Sequence, residues 1–482
     1  MSTAKNYLYN VSYQIIIIIL PIITVPYISR ILGAEGIGIN AYTNSIIQYF
    51  ILFGTIGISL YATRIIAFYR DDKKKLSTTF WSIFYLKLFT TLISYLIFIA
   101  FIFIFDIENK NIFLIQSINI LNAAIDISWL FIGIEDFKRN VTRNFIVKVI
   151  SIILIFILIK IKQDLWKYVF INSLSGIVGQ LLLWKYAFKI INKEKITFFD
   201  IKKHIIPSLK YFLPQIAIQV YVVLDKTMIG LLTNKCEVGF YENADKIVKM
   251  ALTLVTSVGA VMMPKITNIY ASGDFEKIKQ YLKKSFDFEC YLSIPIMFGL
   301  MGISKEFCPW FFGFEFLKTA NVIIIISPII IAIAWSNVLA GQYLIPIGRI
   351  NQYTISVTLG AITNFILNSF LIPKYASIGA AFATVIAEFV VTGTEIIFIR
   401  KDIDLFYFMK DFWKYFLSSL IMYIFVRLIG VYNGINILTT LLQIIIGVLC
   451  YFTMLFILKS DMHIYLIKMI KDKCKIVGVE KL

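Results

Sequence analysis

The sequence predicts an all-α polytopic membrane protein with about fourteen transmembrane helices. Three observations predict it. The 482-residue chain is 59% hydrophobic and only 16% charged, far more apolar than ordinary soluble domains. Its apolar residues fall in runs of about 20, the length that crosses roughly 30 Å of hydrocarbon at 1.5 Å per residue. Its lysines and arginines gather in alternate short connections between those runs, as the positive-inside bias demands.

Taken in order, the first run is 8–31, directly after Lys5. It is too long for a signal-peptide core and lacks a small-residue cleavage pattern, so it reads as a retained span. The second, 39–62, follows a short glycine-rich connection. Spans 80–105 and 112–134 come after the basic stretch Arg64–Lys75, and spans 144–161 and 165–187 after Lys138, Arg139 and Arg143. The longest basic connection, from Lys185 to Lys210, precedes spans 211–232 and 238–266. Five lysines between Lys265 and Lys284 separate these from 286–303 and 320–345, and Arg349 from 353–372 and 376–399. Spans 412–431 and 437–458 close the series, before a basic tail from Lys459.

Alternating these connections with both termini inside puts 32 of the 47 basic residues on the cytoplasmic side and 9 outside. The basic connection at 191–210 divides the chain into a first lobe at 1–190 and a second at 211–400, with accessory spans and tail at 401–482. A short repeat supports two pseudo-symmetric lobes. Glu35-Gly-Ile-Gly38-Ile-Asn-Ala-Tyr42 follows the first span and Glu237-Val-Gly239-Phe-Tyr-Glu-Asn-Ala244 the seventh, with Gly38 and Gly239 equivalent. Parallel repeats of this kind are common in transporters, with the substrate path between the lobes.

An ionisable side chain at the bilayer centre costs about 2.5–3.5 kcal/mol on insertion scales, so those that occur face a cavity or a partner. Asp126 lies in span four, Asp225 and Lys226 in span seven, Glu242 to Lys249 at the head of span eight, and Glu388 and Glu395 in span twelve; Arg30 ends span one. Only 14 apolar residues separate Lys249 from Pro264, about 21 Å of helix at 1.5 Å per residue. Part of the Glu242–Lys249 turn must therefore lie at membrane depth, softened by the i, i+4 pairs Glu242–Lys246 and Asp245–Lys249. Arg30, Asp225, Lys226 and Lys246 fall together in the outer half of the membrane, where a cationic cavity would suit an anionic headgroup. Asp126, Glu388 and Glu395 are candidates for proton or sodium coupling, or for helix-to-helix hydrogen bonds. Lys87 and Arg427, near span ends, are expected to snorkel.

Several functions are excluded or disfavoured. The net charge of +18 is spent on short loops rather than on a nucleic-acid-binding surface. No GxxxxGK[ST] motif is present, so the chain hydrolyses no ATP. The cysteines Cys236, Cys290, Cys308, Cys450 and Cys474 lie too far apart for a disulfide framework or a zinc site, and no metal or cofactor is expected. His204 and His463 sit in basic cytoplasmic segments and read as solvated surface. No outer loop is long enough for a catalytic domain, which argues against a polysaccharide polymerase or glycosyltransferase.

With the helices and polar positions in place, the chain resembles the polysaccharide flippases of the multidrug/oligosaccharidyl-lipid/polysaccharide exporter superfamily, which handle O-antigen and capsule repeats. The resemblance rests on Pro26-Tyr-Ile-Ser-Arg30-Ile-Leu-Gly-Ala-Glu-Gly-Ile-Gly38, Asp126-Ile-Ser-Trp-Leu-Phe-Ile-Gly-Ile-Glu135, and Asp225-Lys-Thr-Met-Ile-Gly230 followed by Val238-Gly-Phe-Tyr241. Gln342-Tyr-Leu-Ile-Pro346, Asn364, Asn368 and Gly379-Ala-Ala381 leading to Ala387-Glu388 extend it over most of the chain. It implies two lobes around a central, often cationic, cavity and alternating access in a bacterial cytoplasmic membrane. It also implies an undecaprenyl-pyrophosphate-linked oligosaccharide as cargo, membrane lipids and a polysaccharide polymerase as partners, and no enzymatic activity. The family's cavity arginine is matched at Arg30; elsewhere the chain departs from the pattern and offers lysines, Lys226 and Lys246, as its candidate anion-binding residues. The nearest rival, a cation-coupled drug exporter of the same superfamily, would prefer an acidic cavity and twelve helices.

Overall fold

The computed structural model describes residues 3–105 and 107–469, with the side chains of residues 3–19 and a few others, Phe137 among them, left aside. Lys5, as a side chain, and Cys474 with the lysines of the extreme tail lie outside the described residues. Among the described residues all regular structure is helical. Ten helices are long and apolar enough to cross a membrane, eleven if one bent pair counts as a single span. The remaining expected spans are accounted for: the first two share one kinked helix, and the sixth and seventh fall on Leu165–Ala187 and Ile205–Leu232.

Two compact units, Met1–Gly239 and Phe240–Leu482, organise the chain. This is a division by contact, whereas the boundary expected at 191–210 rests on loop charge; helix Ile205–Leu232 packs with the first unit.

The first unit begins with α1 (Thr3–Thr55), which is two helices joined at Gly33, where φ is 70° and ψ is −180°. A side chain with a Cβ resists that backbone, so glycine marks the turn between spans one and two. The expected second span, 39–62, instead stops at Thr55, because Ile56 and Gly57 take left-handed backbone angles and a separate helix α2 (Ile58–Tyr69) follows. Helices α3 (Lys73–Ile104), α4 (Lys110–Gln116), α5 (Ile118–Ile125), α6 (Ser128–Gly133), α7 (Phe137–Leu158), α8 (Leu165–Ala187), α9 (Phe198–Lys202) and α10 (Ile205–Leu232) complete the unit. α1 packs against α3, α5, α7 and α10. Phe80, Trp129, Phe131 and Leu183 form the centre of one hydrophobic core of this unit.

α11 (Lys235–Ala271) begins in the first unit and enters the second at Phe240. The second unit also contains α12 (Phe275–Phe312), α13 (Leu317–Ile326), α14 (Ile329–Ser336), a π-helical segment at Asn337–Leu344, α15 (Ile350–Tyr375), α16 (Ser377–Ile399), α17 (Leu405–Phe408), α18 (Phe412–Asn433) and α19 (Ile437–Ile457). α15 pairs with α16, and α12 with α18 and α19. α19 shows what solvent the protein expects. Its Thr440, Gln443 and Gly447 are buried, while Leu441, Leu442, Ile445 and Leu449 are exposed. A helix with polar atoms inward and large aliphatics outward is stable in lipid and not in water.

Candidate functional site

The two glycines of the sequence repeat meet. A Cβ on Gly38 would lie 1.6 Å from the carbonyl oxygen of Lys235, and one on Gly239 would lie 2.1 Å from that of Ala34. Each glycine thus rests on the carbonyl four residues before the other. A reciprocal contact of this kind is what a two-fold relation between the segments produces. Only glycine permits it, because any side chain would hold the backbones apart. Beside it, Tyr42 lies against Gly230, and the Lys235 ammonium sits 3.6 Å above the Tyr42 ring while donating to the Gly230 carbonyl at 2.7 Å.

Close to this crossing, the first unit carries three of the four expected headgroup-binding residues. Arg30 is exposed on α1; Asp225 is buried and Lys226 half-buried on α10. The next residue, Thr227, ties α10 to α1 through Ser45 Oγ at 2.9 Å and Tyr49 Oη at 3.2 Å, which fixes the rotation of the helix that presents Asp225 and Lys226. None of Arg30, Asp225 and Lys226 is without a partner.

Lys246 lies in the second unit, on α11, where both expected i, i+4 pairs form. Lys246 Nζ stands 2.9 Å from Glu242, and Lys249 Nζ 2.9 Å from Asp245. The 37 residues of α11 give about 55 Å of helix at 1.5 Å per residue, so this charged turn continues the span without a break. Ala244 and Val248 are fully buried, while Lys246 and Lys249 reach outward.

Among the acidic candidates, Asp126 has a structural task. Span four breaks between α5 and α6, and Asp126 stands at the break with extended backbone angles. Its Oδ1 accepts from Ser128 N at 3.0 Å and Gln180 Nε2 at 2.8 Å. Trp184 Nε1 donates to the freed Ile125 carbonyl, and Trp129 Nε1 to that of Asp126. Lys87 does not snorkel. Its side chain is 1% exposed, and its Nζ donates to the Asp126 carbonyl at 2.9 Å and faces the carboxylate at 3.5 Å. Non-helical backbone at membrane depth survives only where such donors satisfy it, so the broken span recruits the lysine inward. Arg427 does not snorkel either: it grips both oxygens of the mostly buried Glu306 at 3.0 and 2.7 Å and donates to the Gly302 carbonyl.

Glu395 is fully buried and accepts from Ser336 Oγ at 3.0 Å and Ser356 Oγ at 3.1 Å. Glu388 is half-buried, seven residues and so about two turns before Glu395 on the same face of the helix. A second fully buried acid, Glu289 on α12, lies inside the run 286–303, two residues after Asp287, and the sequence did not single it out.

The histidines are not solvated. His204 is 4% exposed, its Nδ1 lying 2.6 Å from Tyr61 Oη, and burial pushes its imidazole down to about 4. A cavity of about 660 Å³ opens beside it, lined also by Lys74, Lys75, Thr78 and Lys203. His463 is 8% exposed and faces Tyr291 Oη at 3.2 Å. Both sit in basic segments, as expected, but aromatic neighbours fold over them.

Two family models match the chain, one for polysaccharide biosynthesis proteins over residues 3–270 and one for the lipid II flippase MurJ over residues 145–453. A putative O-antigen transporter of Escherichia coli K12 is 23% identical, over 83% of this chain and 98% of its own. Among solved structures, the lipid II flippase MurJ in an inward closed conformation superposes with a TM-score of 0.75 at 21% identity, covering 95% of this chain and 99% of that one. An inward-facing multidrug transporter of the MATE family gives 0.61 at 13% identity, over 82% and 97%. At these identities the superpositions show the fold alone, that of a polytopic helical membrane protein. The O-antigen transporter carries a transport role in its name, and the two solved structures are named as a flippase and a multidrug transporter. Matched over more than half its length, the chain belongs to the polysaccharide biosynthesis protein family, the flippases that its sequence resembles.

Proposed function

We propose that this protein carries undecaprenyl-pyrophosphate-linked oligosaccharide repeat units from the inner to the outer leaflet of a bacterial cytoplasmic membrane by alternating access, with both termini cytoplasmic. The observation that carries the reading is the family match, which extends from residue 3 to residue 453 when the two models are taken together. The lobes at 1–190 and 211–400 move against each other, spans thirteen and fourteen are accessory, and a polysaccharide polymerase takes up the product.

Arg30, Lys226 and Lys246 hold the pyrophosphate. Arg30 offers a planar, permanently charged fork suited to phosphate oxygens, while the lysines act as point charges. Lys246 is held by Glu242, and Asp225 lies beside Lys226 in sequence, so carboxylates compete with the headgroup for the cations. That competition keeps binding weak enough for release, which a carrier requires. Of the ion-coupling candidates, Glu395 is favoured over Glu388 and Asp126. It is buried among neutral donors and can change its proton without breaking an ion pair, whereas Asp126 is held by Lys87.

Depleting the protein in its own cell tests the reading. Lipid-linked repeat units should accumulate in the inner leaflet, with surface polysaccharide lost. Unchanged polysaccharide together with a changed drug-susceptibility profile would favour a drug exporter instead.

A further inference from the structure

Span ten is broken twice. A 43° bend separates Phe314–Ile326 from Ile329–Leu344, and Asn337–Leu344 is π-helical, closed by i→i+5 bonds such as Ile345 N to Ala340 O at 3.0 Å. π-helical turns cost hydrogen-bond quality and cluster at functional sites. This one has a geometric consequence. On an α-helix with 3.6 residues per turn, residues five apart point about 140° away from each other. The wider turn brings Asn337 and Gln342 to one side, and both donate to the same atom. Asn337 Nδ2 and Gln342 Nε2 each lie 2.8 Å from Glu289 Oε1.

The amides are locked in that orientation. Ser285 Oγ donates to Gln342 Oε1 at 2.6 Å, which leaves Nε2 facing the acid. Asn337 lies against Gly259 of α11, where a Cβ would come within 2.6 Å of its Nδ2. The other carboxyl oxygen, Glu289 Oε2, is buried with no hydrogen-bond partner. Cations on α12 and its neighbours are matched elsewhere: Lys283 with Asp287, Lys414 with Asp411, Arg349 with Asp402 and Arg427 with Glu306. On α11, Lys249 is paired with Asp245 and Lys265 lies over the Tyr281 ring; other titratable groups on the packed elements include Cys290 and Tyr291 on α12, Tyr343 on the π turn, Tyr353 on α15, Glu395 on α16, Tyr415 on α18, Tyr451 on α19 and His463 beyond it. None of these supplies a positive charge to Glu289 among the described residues: Glu395 is bound by Ser336 and Ser356, and His463 by Tyr291. An ionised carboxylate here would be buried with half its lone pairs unmet and no counter-charge, the costliest state a side chain can take in a membrane.

We propose that Glu289, on span nine, is a proton-binding site, with the proton on Oε2 and the π turn of span ten as the device that holds it. A metal ion does not fit the donors, because two amide N–H groups point their hydrogens at the carboxyl where a metal would need oxygens. The adjacent residue Ser336 holds Glu395 while Asn337 holds Glu289, so one turn of helix holds two buried acids. Rewinding Asn337–Leu344 to α-helix would turn Gln342 away from Glu289 and release the carboxyl, exchanging its proton as span ten moves. The coupling to movement rests on the transport reading above; the proton site does not.

Infrared spectra of the full-length protein in lipid vesicles separate the two. Near neutral pH the parent should show the C=O stretch of a protonated carboxylic acid, and Glu289→Gln should lose one component of it while Glu395→Gln keeps that component. Gln342→Ala, which retains the acid but removes one donor from its C=O oxygen, should shift the component to higher frequency, so the assignment stays testable if Glu289→Gln folds poorly. A protonated-acid region unchanged by both Glu289→Gln and Gln342→Ala would overturn the proton site. With the site intact, export that keeps the parent's full pH dependence in Glu289→Gln would overturn the coupling. Absence of export in the parent would fall on the transport reading instead.

Discussion

Replacing either repeat glycine by alanine should damage the protein, and replacing both should cost less than the sum. A Cβ on Gly38 would sit 1.6 Å from the Lys235 carbonyl oxygen, and one on Gly239 2.1 Å from that of Ala34. Ordinary contact needs at least 3.4 Å, so the two backbones must part by about 1–2 Å at either site. Overpacking of this kind costs typically 1–3 kcal/mol, and here the obstacle is backbone, which cannot rotate away. The parting that makes room for the first methyl group also makes room for the second, since each glycine faces the carbonyl one turn before the other. Neighbours that share one displacement are non-additive by about 0.5–3 kcal/mol. Unfolding in detergent should therefore show two single variants of similar cost and a double variant little worse than either. Lys235 and Tyr42 provide a control: Lys235→Met removes the cation over the ring without crowding the crossing, and should cost much less. Additive costs, or a loss at one glycine alone, would refute the reciprocal contact and the repeat it supports.

Three further outcomes follow from the geometry. Single cysteines at Lys246 and Lys249 should react with a small charged thiol reagent, Glu242 more slowly, and the fully buried Ala244 and Val248 hardly at all; uniform labelling around α11 would mean that the turn projects into open water. His204 is pushed from 6.5 to about 4 by burial, so the folded state binds fewer protons than the unfolded one between those values, and stability is full above pH 6.5 and falls as pH drops towards 4. At ~1.4 kcal/mol per unit the loss is at most about 3 kcal/mol, and His204→Phe should remove this part of the acid sensitivity; identical acid profiles would contradict the assignment. Lys87→Met strands the Asp126 carboxylate and should cost about 3–5 kcal/mol, most of it recovered in Lys87→Met with Asp126→Asn, whereas a costless single change would show that the pair is not needed.

Run length and loop charge are local properties, and they located the helices well. The Glu242–Lys246 and Asp245–Lys249 pairs were equally legible, because helical spacing alone makes them neighbours. What stayed hidden depends on a second element. Nothing near Lys87 in sequence reveals that span four breaks at Asp126 and needs a donor there. Ile56 gives no sign of the left-handed turn that ends span two at Thr55. His204 looked solvated among lysines because Tyr61, 143 residues away, is what covers it. Glu289 is different: an acid inside an apolar run, two residues after Asp287, was readable, but the π turn that gives it meaning was not, since a helix's hydrogen-bond register leaves no mark in its composition.

Purified protein in vesicles that carry a fluorescent polyprenyl-pyrophosphate oligosaccharide in one leaflet tests the transport reading most directly. A membrane-impermeant quencher added to the opposite side reads arrival. Quenching should grow with time only in vesicles that contain the protein, should be lost in Arg30→Ala, and should be impaired in Arg30→Lys, which keeps the charge but not the fork. Quenching no faster than in protein-free vesicles would contradict the flippase assignment, and full activity in Arg30→Ala would contradict the place given to the pyrophosphate.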